Sequence, residues 1–400
     1  MKHALRAAAA LAAAVMIVPS PAAKGEAPGG EAGARAVRPG LEALDYAFRF
    51  ASAISSDDKD RAKAQAAVVK DLTELGAFEE ASSRATVIEG WRRAVALAEL
   101  AQALARSGHA ADARRHVEES QRIRATITDW HGSRIDSHVA QALAALGEVD
   151  ASRRLTEDLV ATDKVQYLGQ ATVTQVKTYI AAGDFEAAMK LLRGVDVAED
   201  YDLSWWQLQG YVEIGGASGL TRGQRLEALN AARELLDAVP DGRISQGLES
   251  IAEAYHAIGA RQQAEEALTA AAAIVERIPD HYPEKPSELA NLARAWSRIG
   301  VPDKARDLLR AAEPVASRSQ PVEQPTLYAW VASSYLLNGD AEEASRVWER
   351  ALSVADTLAN ARPRALAYVA ISRSMGQEGM PVPDSVRPRL DAALERLRAS

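Results

Sequence analysis

Nine glycines punctuate this chain at intervals of 32 to 44 residues: Gly76, Gly108, Gly147, Gly183, Gly215, Gly259, Gly300, Gly339 and Gly379. An Ala-rich stretch with helical character runs into each of them, and a second helix starts a few positions later. A period of this length, with one helical hairpin per period, marks a solenoid. Each unit then buries its apolar face only against its neighbours. Function in such an array falls to the surface that the stacked hairpins present, which steers the reading toward binding and away from catalysis.

The registers agree beyond the glycines. Four residues before the turn stands a large side chain: Leu72, Leu104, Leu143, Tyr179, Tyr211, Tyr255, Trp296, Tyr335 and Met375. Seven before it the residue is usually small, as at Ala101, Ala140, Ala252, Ala293, Ala332 and Ser372. Five after it comes Ala81, Ala113, Ala188, Ala264, Ala305 or Ala344. A large residue facing a small one lets two helix axes approach to roughly 8–10 Å. The predicted fold is all-α, an α-solenoid (superhelix) of about nine helix-turn-helix repeats.

This order of small residue, Tyr or Leu, Gly and Ala resembles the tetratricopeptide (TPR) repeat. The clearest copies are Ile251–Leu268, Leu292–Leu309 and Val331–Trp348; in the last, Ala332, Tyr335, Gly339, Ala344 and Trp348 fall at the family's spacing. The chain departs from the pattern in length, in an insertion between Gly215 and Thr221, and in having no alanine five residues after Gly379. The resemblance implies a protein or peptide partner held in a concave groove lined by the first helices. One groove position lies six residues before each glycine, giving Lys70, Gln102, Gln141, Lys177, Gln209, Glu253, Arg294, Ser333 and Arg373. Four basic residues against one acid suit an extended peptide with acidic side chains. Lys63, Arg106, Arg134 and Arg298 add positive charge, Asp202, Glu213 and Glu249 negative, and Trp205 is read either as an aromatic anchor facing the groove or as a residue packed in the core. A Lys–Asn carboxylate clamp is not supported, because the position ten before each glycine carries no lysine.

Aromatics make up only 5% of the chain, which fits close Ala-mediated helix packing. Ala171–Ile180 is rich in Thr and Val, weak helix formers, yet Tyr179 and Gly183 keep it in register as a helix. Lys2 and Arg6, the apolar run Ala7–Val18 and Ser20-Pro21-Ala22 read as a signal peptide over residues 1–22. Twelve apolar residues are too few to span a bilayer, so no membrane insertion is expected after cleavage. Residues 23–40 read as a disordered linker and 41–400 as the solenoid, with Leu41–Ile54 as a capping helix or incomplete first hairpin and Val386–Leu397 as a terminal capping helix. The absence of cysteine removes disulfides and a lipid-modified cysteine. The expected location is the periplasm, in a bacterial cell envelope, or the medium. Losing Lys2 and Arg6 takes the formal charge from −8 to −10, which argues against a nucleic-acid partner.

Catalytic motifs are missing: the sequence has no H-E-x-x-H, G-x-S-x-G, P-loop or dinucleotide fingerprint. Glu249, Glu253 and His256 share a helix face, but a di-iron site needs a second Glu-x-x-His pair. His109, His116, His131 and His138 crowd one region without metal-ligand spacing. No catalytic residue, cofactor or metal is therefore expected, and the reading is a non-enzymatic scaffold or adaptor. The alternative is an exported all-α enzyme, either a carbohydrate-active toroid or a metal-dependent hydrolase. A third possibility is an extended spacer.

Overall fold

The computed structural model describes residues 40–156, 159, 161–195 and 201–399. The expected signal peptide and all of the expected linker except Gly40 lie outside them. Among the described residues the regular elements are helices, without a strand. The first seven are α1 (Leu41–Ser52), α2 (Lys59–Glu74), α3 (Phe78–Ala85), α4 (Trp91–Arg106), α5 (Ala110–Arg124), α6 (His131–Ala145) and α7 (Val149–Thr156). Then come α8 (Ala161–Ala181), α9 (Phe185–Arg193), α10 (Tyr201–Gly216), α11 (Arg222–Glu234), α12 (Ile244–Ala257) and α13 (Arg261–Glu276). The last six are α14 (Lys285–Arg298), α15 (Pro302–Ala316), α16 (Gln324–Leu337), α17 (Ala341–Thr357), α18 (Ala361–Gln377) and α19 (Arg387–Ala399).

From α2 onward the helices pair as antiparallel hairpins, the even-numbered helices forming one layer and the odd-numbered ones, up to α17, the other. The chain is an all-α array of helical-hairpin repeats. Eight of the nine punctuating glycines take positive φ; Gly339, at 87°, is typical. The residue after each donates its N–H to the large residue five positions back, as Asp340 does to the Tyr335 carbonyl at 2.9 Å. That bond closes the helix end in a Schellman turn, a conformation only glycine adopts without strain. The large-to-small packing follows: Tyr335, Trp348, Ala332 and Ala344 are all buried.

Gly215 is the exception. It lies inside α10, which runs on to Gly216, and the next helix, α11, is capped by Thr221 in a reciprocal capping box with Gln224. A Cβ at Gly215 would sit 2.3 Å from Leu229 Cδ2, so this glycine serves close helix approach instead of a turn. The Thr-rich stretch is helical as its register requires, and Thr172, Thr174 and Thr178 each satisfy their hydroxyl by donating to the carbonyl four residues back, at 2.8 to 3.1 Å.

The N-terminal helix, expected as a cap or an incomplete first hairpin, joins the two ends of the array. α1 packs along α18 as closely as second helices pack on first helices elsewhere, and it also packs on α2. It occupies the second-helix place of the ninth repeat, supplied from the other end of the chain. Gly40 (φ 95°) sits where the ninth turn would lead, and a Cβ there would be 2.6 Å from the Gly376 carbonyl oxygen and 3.0 Å from Gly379 Cα. Leu44 fills the space left by Gly376, where the pairing is reversed: small on the first helix, large on the second. Phe50 stacks on Tyr368 at 4.9 Å. The helix α18 also touches α2, so the first-layer helices form an unbroken circle. The solenoid is a closed ring, which rules out the extended spacer. The C-terminal helix α19 lies over the closure, with Tyr46 donating to Asp391 at 2.6 Å and Arg389 paired with Asp356 at 2.8 Å.

Candidate functional site

Hairpins of one sense arranged in a ring create four distinct surfaces: an inner wall of first helices, an outer wall of second helices, a rim of glycine turns and a rim of the longer loops. The inner wall is tight enough for residues on helices two apart to meet. Arg106 on α4 donates to Thr174 Oγ1 on α8 at 3.3 Å, and Arg294 on α14 reaches Glu378, beyond α18, at 2.6 Å.

The residues expected to read a peptide are mostly committed to one another on this wall. Arg373 donates to both carboxylate oxygens of the buried Asp71, at 2.5 and 2.9 Å, across the closure between α18 and α2. Burial works against the Arg373 charge, and Asp71 more than offsets it, leaving the guanidinium raised. Arg294 is buried, bonded to Glu378 and Ser333, with its guanidinium 4.6 Å from the Trp330 ring. Glu253 pairs with Arg298 at 2.7 Å and Lys177 with Glu213 at 2.9 Å. Gln102 lies 3.5 Å from Gln141, while Gln141 Nε2 and Gln209 Nε2 are buried with no hydrogen-bond partner. Lys70 stays exposed, 3.9 Å from Glu74.

Trp205 needs correction. It is 4% exposed, inside the core with the Arg243 guanidinium over its ring, and cannot anchor a ligand without unfolding. Its register position is buried in other repeats too, at Ala98, Ser137, Glu249, Ala290, Ala329 and Val369. Closing the ring presses neighbouring first helices together along that line. The neighbouring Trp206 is half-buried, packed on the core and against Gly169.

Carboxyls on the wall are held toward the neutral form. Burial, then Glu288 and Glu253, pushes Glu249 well above the usual range, and its Oε1 has no partner. Burial also raises Glu288. His256, expected beside Glu249 and Glu253, is exposed and separate from the buried Glu249. Among the described residues no three His, Asp or Glu side chains converge as metal ligands.

Glu74 gives a testable pH dependence. Burial raises its carboxyl from 4.5 to about 7, opposed first by Lys70. Two-fifths of its side chain remains accessible, but this surface faces the crowded interior of the ring. In the unfolded chain Glu74 ionises near 4.5, while in the ring it holds its proton until about 7. Folding therefore loses stability as pH rises through that window and loses no more above it. Glu74→Gln is expected to gain on the parent between pH 5 and pH 8 by an increment on the order of 1 kcal/mol after solvent screening. Urea midpoints of the two proteins at both pH values measure it.

The loop rim differs in character. The exposed large hydrophobics among the described residues are Val87, Trp130, Leu168, Tyr282 and Val322. Four of them lie in loops that lead from a second helix into the next first helix. Leu168, fifteen residues before Gly183, is level with the first residue of α16, fifteen before Gly339. All five therefore fall on the same rim. Sequence reasoning missed this set, because four of the residues lie between the repeats and only Trp130 and Val322, each seventeen before its glycine, share a register position. Only ring geometry gathers them.

No protein-family model matches the chain, and no curated protein does. Among solved structures, one neighbour is the kinesin light chain TPR-like repeats of Podosopora anserina, with 22% identity over 48% of this chain and 97% of that one, at a TM-score of 0.29. Another is a circular tandem repeat protein with 13% identity over 90% of this chain and 95% of that one, at a TM-score of 0.28. Scores this low add nothing to the helical-hairpin repeat that the chain itself displays.

Proposed function

We propose that this chain is an exported, non-enzymatic ring scaffold that holds a partner protein on its loop rim. The observation that carries the reading is the gathering of Val87, Trp130, Leu168, Tyr282 and Val322 on that single face. A rim of exposed apolar residues on an otherwise polar surface is the usual mark of an interaction site. The inner stripe is a weaker candidate for an extended peptide, because Glu253, Arg294 and Arg373 are already engaged within the ring. Export to a bacterial envelope or the medium rests on Lys2, Arg6, the Ala7–Val18 run and Ser20-Pro21-Ala22.

A photocrosslinking residue placed at Tyr282 or Val322, with Glu266 on the outer face as control, tests both parts in the native host. Adducts to one protein from the rim positions alone are expected, on a chain whose mass lacks residues 1–22. Equal adducts from all three positions, or none, would reject the rim. A second reading, an all-α hydrolase, draws on Glu249 and Glu288, since a protonated carboxyl is what a general acid requires. Release of reducing ends from envelope glycans by the purified chain would favour it.

A further inference from the structure

One stretch of the loop rim combines exposed aromatic surface with unbalanced charge. The neighbouring first helices α4 and α6 begin at Trp91 and His131, and Trp130 immediately precedes the second of these. The Trp91 and His131 rings stack with centroids 4.4 Å apart, and Trp130 stacks on His131 at 3.8 Å. His131 is held in place by Asp129, whose carboxylate meets both its Nδ1 and its backbone N–H. The outer member of this stack, Trp130, is 61% exposed. A stack of three rings with its outer face in water is an expensive use of tryptophan unless something covers it.

Two guanidiniums flank the stack. Arg92 lies 4.3 Å and Arg134 6.0 Å from the Trp91 ring centroid. Neither forms an ion pair among the described residues, while their neighbours do. Arg93 and Arg122 share Glu119, Arg124 holds Asp136, and Asp60, the acid nearest in effect to Arg92, is bonded to Arg362. Burial, then Arg134, pushes Arg92 down, so the two like charges oppose each other across the tryptophan. Both also stand in the first turns of their helices, where the helix dipole disfavours a cation. In a chain with 55 acidic and 47 basic residues, this pair is left without carboxylates.

We infer that the Trp91–Trp130–His131 stack with Arg92 and Arg134 is the partner-binding hot spot of the ring, and that it takes an acidic peptide segment in which carboxylates alternate with apolar side chains. The carboxylate would satisfy the guanidiniums in the bidentate manner that arginine favours, and the apolar side chain would cover Trp130. Nucleic acid fits less well, because two arginines on a net acidic surface offer no continuous basic track. The inference rests on the loop rim being the docking face and narrows it to one class of partner.

The test uses two labelled octapeptides, one alternating Glu with Leu and one alternating Gln with Leu, titrated against the full chain by fluorescence anisotropy. The acidic peptide should bind at least about tenfold more tightly, and raising the salt should narrow the gap. Arg92→Gln and Arg134→Gln should each cost about tenfold for the acidic peptide and little for the amide one. Trp130→Ala should weaken both without moving the melting temperature, since the ring is exposed. Equal binding of the two peptides, or none by either, overturns the inference, and so does an oligouronate that binds with the same residue dependence in place of the peptide. Rim adducts from Tyr282 and Val322 alongside failed peptide binding would overturn this hot spot alone; failure of both would overturn the rim reading as well.

Discussion

A chain beginning at residue 55, and so lacking α1, is expected to lose its ring and most of its cooperative stability. The helix contributes Leu44, Tyr46, Phe48 and Phe50, all buried, and each worth roughly 1.5–3 kcal/mol on burial. The total is on the order of 10 kcal/mol, comparable with the whole stability of a typical domain. Its loss also bares the face of α18 that holds Tyr368 and leaves Glu42, Asp45 and Tyr46 absent from their contacts with Arg387, Arg84 and Asp391. Small-angle scattering should show a larger radius of gyration than for a chain beginning at residue 38, and urea unfolding should become broad. A synthetic peptide of residues 38–56 added in trans should restore both signals, since its site on α18 and α2 is otherwise complete. A truncated chain that keeps the compact radius without the peptide would show that closure does not depend on this helix.

The repeat was legible because each hairpin writes its own turn: a glycine, a large residue four before it and an alanine five after. These cues are local, and helix termini obey local rules. Closure was not legible, because it joins Leu44 to Gly376 across more than three hundred residues that share no motif. One trace of it did appear in the sequence, the missing alanine after Gly379, where the second helix arrives from the other end of the chain. The inner stripe lies on the first helices, but the sequence did not show that Arg294, Arg373, Glu253 and Lys177 pair within the ring. Register gives the direction of Arg294 or Arg373 but not what stands opposite, and in a ring the opposite wall is protein. Trp205 failed for the same reason, since the burial of its position follows from the curvature of the array. The rim cluster at Trp130 was invisible because loops between repeats carry no period.

Arg294→Met is expected to destabilise the ring by about 3–5 kcal/mol, because it strands the Glu378 carboxylate with only 13% of its side chain accessible. Burial already disfavours the Arg294 charge, and Glu378 is what chiefly offsets that cost. Glu378→Leu alone should be comparably damaging, since it leaves a buried guanidinium over Trp330 with Ser333 as its remaining hydrogen-bond partner. The double substitution should recover most of the loss, as a buried ion pair and an apolar pair of similar volume often differ little in stability. Urea midpoints for the four proteins form a double-mutant cycle, and a coupling of at least about 2 kcal/mol is expected. Additive effects would instead mean that the two groups act separately and that Arg294 is free to meet a ligand. The same proteins separate stability from recognition. A restored double variant that still yields rim adducts from Tyr282 would place the pair in the ring's construction, and a restored variant that has lost them would return the inner wall to the binding surface.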